Sequence, residues 1–207
     1  MRPLLTRGQS PGVSLPAENK RRATYADLEA ADPLLIAELV AGVLYTSRRL
    51  PPRLSVACMG LFAELAFPFE DKHGGPGGWI FFKAVEIHFP DPTEAGALDA
   101  LVPDISAWTR ERLPAVPDVA AITLAPDWIC EVLSESTAKL DRQVKMPIYA
   151  REGVRHAWLV DPAAQTLEVY TLNADGRWSE PARYSGADVV RAAPFAAIGL
   201  DLPALET

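Results

Sequence analysis

A chain of 207 residues and 22.5 kDa has room for one mixed α/β domain with a sizeable core, and no second domain is expected. Its 49% hydrophobic content and mean hydropathy of +0.04 are those of a soluble globular protein, and no run approaches the ~18 consecutive apolar residues of a membrane span. The formal charge of −7 is unevenly spread: Arg2, Arg7, Lys20, Arg21 and Arg22 against Glu18 give residues 1–23 a net +4 and leave the body at −11, which argues against casual adhesion to nucleic acid.

Residues 1–23 are rich in Pro, Gly, Ser and charge without periodicity, so a flexible N-terminal arm is expected, with residues 24–207 as the folded domain. The first ten residues hold no apolar run of signal-peptide length, and cytoplasmic location is the default expectation. Cys58 and Cys130 lie in apolar patterns without CxxC pairing or histidines at ligand spacing, which predicts buried free thiols rather than zinc or disulfides.

Thr24 and Asp27 stand at the spacing of a capping box and open a short helix that Pro33 ends. Leu35 to Tyr45 then read as two strands about a turn at Ala41-Gly42. Leu54, Ala57, Cys58, Leu61, Phe62 and Leu65 recur at helical spacing and predict an amphipathic helix over residues 53–67, packed on a sheet. After a glycine-rich loop, residues 79–89 have the aromatic and β-branched content of one strand, with Phe82, Ala84, Glu86 and His88 on one face.

Asp104 to Trp108 predict a strand, and Trp128 to Leu133 are the central strand candidate, an apolar run broken by Glu131. Ser134 to Thr137 offer N-caps for a helix to about Glu152, stopped by Gly153 and kinked or restarted near Met146 by Pro147. Residues 155–160 form the next strand, and residues 166–172, 177–184 and 188–191 a meander of strands joined by turns such as residues 173–176. The fold class is therefore mixed α/β.

A glutamate inside the run Trp128-Ile-Cys-Glu-Val-Leu133 costs free energy unless it meets a cation or takes hydrogen bonds. Glu38, in an earlier apolar strand, is a second case of the same kind. On a strand Glu131 and Leu133 face one layer while Cys130 and Val132 face the other. Along the following helix Asp141, Lys145 and Tyr149 make one stripe, beside an apolar stripe of Leu140, Val144 and Ile148.

If the polar stripe lies over Glu131, an ammonium approaches two carboxylates in a recess, a composition suited to phosphodiester hydrolysis. Mg²⁺ takes oxygen ligands and needs no histidine or cysteine, so Asp104, Glu131 and the backbone carbonyl of Val132 would supply the protein's share, with Mn²⁺ as a substitute. Lys145 would orient the nucleophile and offset transition-state charge. The bland alternative makes Asp141 and Lys145 a surface i, i+4 pair and Asp104 a turn residue.

Pro103-Asp104, Glu131-Val-Leu-Ser-Glu-Ser-Thr137, Asp141, Lys145, Tyr149, Gly153-Val154 and Trp158-Leu-Val-Asp-Pro162 resemble the Uma-two family of putative restriction endonucleases, a branch of the PD-(D/E)XK nuclease superfamily. The resemblance spans roughly residues 24–172, and Glu38-Leu-Val-Ala-Gly-Val-Leu44 is similar to the family's early strand pair. It implies a restriction-endonuclease-like core, a mixed β-sheet flanked by helices, with Mg²⁺ on Asp104 and Glu131. The position two residues after the glutamate is Leu133, and the resemblance implies that Lys145 supplies the lysine from the next helix.

Asp104, Glu131 and Lys145 are thus the expected catalytic residues, with Glu38, Asp141 and Tyr149 in support. The expected function is Mg²⁺-dependent hydrolysis of DNA, by a homodimer so that two sites address two strands. The alternative is a catalytically weak or inactive nucleic-acid-binding or regulatory protein that keeps the nuclease fold, a reading favoured by Leu133 and the acidic body.

Overall fold

In the computed structural model, which describes residues 21–70, 75–92, 97–186 and 189–201, the chain enters through α1 (Tyr25–Glu29). The capping box forms as expected: Asp27 Oδ2 accepts from the Thr24 backbone N–H at 2.7 Å and from its hydroxyl at 2.8 Å. The expected arm at residues 1–20 lies outside the described residues.

Strands β1 (Leu35–Val40) and β2 (Val43–Arg48) pair antiparallel, with Val40 opposite Val43. The two residues between them, Ala41 and Gly42, have φ of 49° and 74°. Positive φ at both centres is what a tight right-twisted hairpin needs, and it explains the glycine. Helix α2 (Pro52–Phe69) begins on a proline, whose missing N–H is no loss in a first turn, and buries Ala57, Cys58, Leu61, Leu65 and Phe69 along one face.

The single strand expected over residues 79–89 is two: β3 (Trp79–Lys83) and β4 (Ile87–Pro90), in different sheets. Ala84 breaks the run at φ 50°, its N–H donating to the Asp104 carbonyl at 3.1 Å, and the chain steps from one sheet to the other. The expected common face of Phe82, Ala84, Glu86 and His88 therefore does not exist as one surface. Phe82 packs edge-on against Trp108, whereas His88 and Glu86 meet at 2.5 Å beside Tyr25.

A strand that was not expected, β5 (Leu98–Leu101), joins β1 to β4, so the first sheet runs β2-β1-β5-β4. The second sheet runs β10-β9-β8-β7-β6-β3, built with β6 (Ile105–Thr109), β7 (Trp128–Val132), β8 (His156–Asp161), β9 (Thr166–Thr171) and β10 (Ala182–Ser185). All of its pairs are antiparallel except β7 with β8. A parallel pair needs a crossover, and the helical segment after Thr137 supplies it. Strand β7 is buried along its whole length, as its apolar run predicts.

That segment comprises α3 (Ala138–Leu140), a π turn (Asp141–Lys145) and α4 (Met146–Arg151). Pro147 restarts the helix near Met146 as expected, and the Met146 N–H reaches back five residues to the Asp141 carbonyl. Gly153 ends it at φ 76°, with Gly153 N–H bonded to Ala150 and Val154 N–H to Tyr149, a Schellman closure.

The meander is shorter than expected. Pro181 cannot donate to a ladder, so β10 starts only at Ala182 and Trp178 makes an isolated bridge to Leu172. Strand β11 (Val189–Val190) pairs with β12 (Leu200–Asp201) instead of extending the meander. Between these two, Phe195 inserts into the core against Phe69, Trp79 and Trp128, with ring centroids 4.7 to 5.1 Å apart. Cys58 and Cys130 are buried free thiols in that same core. Among the described residues no helix is long and apolar enough to cross a membrane.

Candidate active site

Alternation along β7 divides its side chains between two environments. Trp128, Cys130 and Val132 pack toward α2, while Ile129 and Leu133 join the core beneath the crossover helices. Glu131 shares that second face, and the crossover brings Asp141, Lys145 and Tyr149 onto it. In a regular helix, positions four apart drift by about 40° per step around the axis. The wider π turn between Asp141 and Lys145 offsets that drift, and all three side chains are buried against β7.

Glu38, Glu131, Asp141 and Lys145 each expose 4% or less of their surface. Lys145 Nζ lies 2.8 Å from Glu131 Oε1, 3.0 Å from Glu38 Oε1 and 3.6 Å from Asp141 Oδ1, and it donates to the Val102 carbonyl at 3.5 Å. Tyr149 donates its hydroxyl to Glu131 Oε1 at 2.6 Å. Asp141 and Lys145 are thus no surface pair but part of a buried network.

Asp104 sits just ahead of β6 and is tied to β7 twice. Its Oδ2 accepts from the Val132 N–H at 2.8 Å, and its own N–H donates to Glu131 Oε2 at 3.3 Å. In an extended strand a residue's N–H and C=O lie on the same edge, so the Val132 carbonyl shares the edge that faces Asp104. The structure therefore gathers every residue expected at the site: Asp104, Glu131 and Lys145, the Val132 backbone, and Glu38, Asp141 and Tyr149. All but Val132 and Tyr149 line one recess, which Ile36 of β1 and Ser47 of β2 line as well.

Four carboxylates share this recess with Lys145, and their protonation reflects the crowding. Burial, then the neighbouring Glu131 charge, pushes the Asp104 carboxyl up to about 7. Burial also raises Glu131 and Asp141, against the opposing pull of Lys145. Burial alone would lower Lys145, yet Glu131 and Glu38 together hold it well above its usual value, so it stays an ammonium. Burial and Glu131 keep Tyr149 protonated as a donor.

Such a surplus of buried negative charge is what a divalent cation relieves. The donors are hard oxygens, as Mg²⁺ requires. Among the described residues no three His, Cys, Asp or Glu side chains form a complete cage. Two carboxylates and one carbonyl are the partial share that Mg²⁺ commonly takes, with water completing its octahedron. The residues present fit the ion.

Three contributors carry no clear sequence signal of a site role. Val102 offers both main-chain groups, its N–H donating to Glu38 Oε1 at 2.8 Å. Thr137 hydrogen-bonds Asp141 where only an N-cap is expected. Ser47 comes to the recess through the β1–β2 register, opposite Ile36 and on the face that carries Glu38. His88, Glu86 and Tyr25 form a separate cluster that does not line the recess.

Over residues 22–204 the sequence matches the model of the Uma2 family, described as "Putative restriction endonuclease". The fold is similar to the crystal structure of a "putative nuclease belonging to DUF820" from Anabaena variabilis, with a TM-score of 0.64 and 21% sequence identity over 82% of this chain and 89% of that one. Comparison with curated proteins finds no match.

Proposed function

This chain belongs to the Uma2 family of putative restriction endonucleases, and on that premise we propose that it is a Mg²⁺-dependent endonuclease that hydrolyses DNA phosphodiester bonds. The observation that carries this reading is the 2.8 Å contact between Lys145 Nζ and Glu131 Oε1, beside Asp104. Leu133, two residues after the glutamate, is buried in the core. The ammonium that the chemistry needs reaches Glu131 from the crossover helix instead.

Asp104 and Glu131, with the Val132 carbonyl, would hold the ion, which when bound supplies Lewis-acid polarisation of the phosphate. Glu38 fixes the Lys145 ammonium from the β1 side, bracing it between two sheets, and Asp141 approaches it from one helical turn away. A charged, immobilised amine there offsets negative charge that develops on the phosphate and positions a water for attack. Tyr149 locks the Glu131 carboxylate by hydrogen bonding its Oε1, leaving Oε2 on the Asp104 side. A homodimer would present two such sites to two strands.

The test is cleavage of plasmid and duplex oligonucleotides by the purified protein with Mg²⁺ or Mn²⁺, beside Asp104→Ala. Metal-dependent cleavage lost in the variant supports the reading. DNA left intact by both proteins, with binding that survives Glu131→Ala and Lys145→Ala and ignores metal, would instead make this a nucleic-acid-binding protein on a nuclease fold.

A further inference from the structure

We propose that the Ser47 hydroxyl is a substrate contact of this recess, donating a hydrogen bond to an oxygen of the phosphate brought to Asp104 and Glu131; the inference rests on the nuclease reading above. Ser47 lies in β2 and lines the recess together with Glu38, Asp104, Glu131 and Lys145. It stands opposite Ile36 in the β1–β2 pair. Directly opposed residues project to one face, and two residues further along β1 that face carries Glu38.

The hairpin fixes what Ser47 can offer. A two-residue loop makes Val40 and Val43 a hydrogen-bonded pair, and such pairs recur at every second position, so Glu38 with Tyr45 and Ile36 with Ser47 are hydrogen-bonded pairs as well. The Ser47 N–H and C=O are therefore spent on Ile36, and the hydroxyl is what remains for a ligand. Ile36, directly across from Ser47, and Leu50, three residues on, line the recess too, and both are half-buried. A hydroxyl in such a partly apolar setting makes a stronger hydrogen bond than one in open water.

The other side-chain donors of the recess are committed. Lys145 is held by Glu131, Glu38 and Asp141, and the Thr137 hydroxyl lies 2.9 Å from Ser134 Oγ. Arg48, the next residue along β2, projects its side chain to the opposite face of the strand pair. Among the described residues Ser47 makes no side-chain hydrogen bond, although four carboxylates line the same recess. A phosphate brings only acceptor oxygens, so it needs donors that the carboxylates do not already hold, and serine hydroxyls are among the groups that contact nucleic-acid phosphates. Ser47 supplies such a donor from the β2 side, while Lys145 supplies charge from the crossover helix.

Cleavage kinetics of the full chain with Mg²⁺, and their inhibition by inorganic phosphate, test the contact with Ser47→Thr and Ser47→Val. Threonine and valine have similar branched shapes and both suit a strand, so the comparison isolates the hydroxyl. Ser47→Val should raise KM for duplex DNA about tenfold with kcat unchanged, as for loss of one hydrogen bond to a charged group, and should weaken competitive inhibition by inorganic phosphate by the same factor. Ser47→Thr, which keeps the hydroxyl, should stay within about twofold of the wild type in both. If the wild type cleaves but the threonine and valine variants agree in KM and in phosphate inhibition, the contact is overturned and the nuclease reading stands. If the wild type leaves duplex DNA intact, both fall together.

Discussion

Replacing Asp104 by asparagine should make the metal-free protein more stable at alkaline pH while removing its metal response. Asparagine keeps an oxygen for the Val132 N–H but carries no charge against Glu131. The folded state raises the Asp104 carboxyl from 3.8 to about 7. Below the lower value both states are protonated and the group costs nothing. Between the two, the folded protein holds a proton that the unfolded chain has released, so stability falls as pH rises; above about 7 the full cost is present. That interval corresponds to about 4 kcal/mol, at about 1.36 kcal/mol per pH unit. Asp104 keeps a part-exposed edge on the recess, and solvent screening halves the figure to about 2 kcal/mol. Urea unfolding in EDTA should show Asp104→Asn level with wild type near pH 4 and about 2 kcal/mol more stable at pH 8. With Mg²⁺ at pH 8 the wild type should gain stability, by about 2.7 kcal/mol at a hundred times Kd, and the variant should not. A gain independent of pH, or a variant less stable than wild type at pH 8 without metal, would refute the reasoning.

Lys145→Met should cost about 3–5 kcal/mol at pH 8, because Glu131, Glu38 and Asp141 lose their shared cation. The cost should shrink toward pH 5 as the raised carboxyls of Glu131 and Asp141 take up protons; an equal loss at both pH values in chemical denaturation would contradict the network. Tyr149→Phe should cost about 1.5–3 kcal/mol by removing the buried donor to Glu131 Oε1. Unchanged stability would mean that the hydroxyl does not hold the carboxylate.

Much of the site is legible in the chain because burial makes carboxylates conspicuous. Glu131 stands out in an apolar run, and Asp141, Lys145 and Tyr149 share a helical stripe that has to face either water or that glutamate. Glu38 is visible for the same reason, but its partner is not: Lys145 lies more than a hundred residues away, and only the packing of β1 beside the crossover unites them. The break between β3 and β4 is hidden because residues 79–89 alternate well enough for one strand. What divides them is the positive φ at Ala84 and the pairing of each half with a different sheet. Strand β5 is hidden by Asp99, which reads as polar and exposed yet is buried between the Ala41 N–H at 2.6 Å and Arg151 at 2.8 Å. The tail beyond Pro194 has apolar composition but no period, and the role of Phe195 in the aromatic core follows only from tertiary packing.

The central claim is that Asp104 and Glu131 hold a divalent cation within reach of Lys145. A crystal soaked in Mn²⁺ and measured for anomalous scattering tests it most directly. The account predicts one peak between the two carboxylates, about 2.0–2.3 Å from an oxygen of each and beside the Val132 carbonyl, with the Lys145 ammonium still against Glu131. No peak there, or a cation bound elsewhere with the Asp104 and Glu131 carboxyls unchanged, would contradict it.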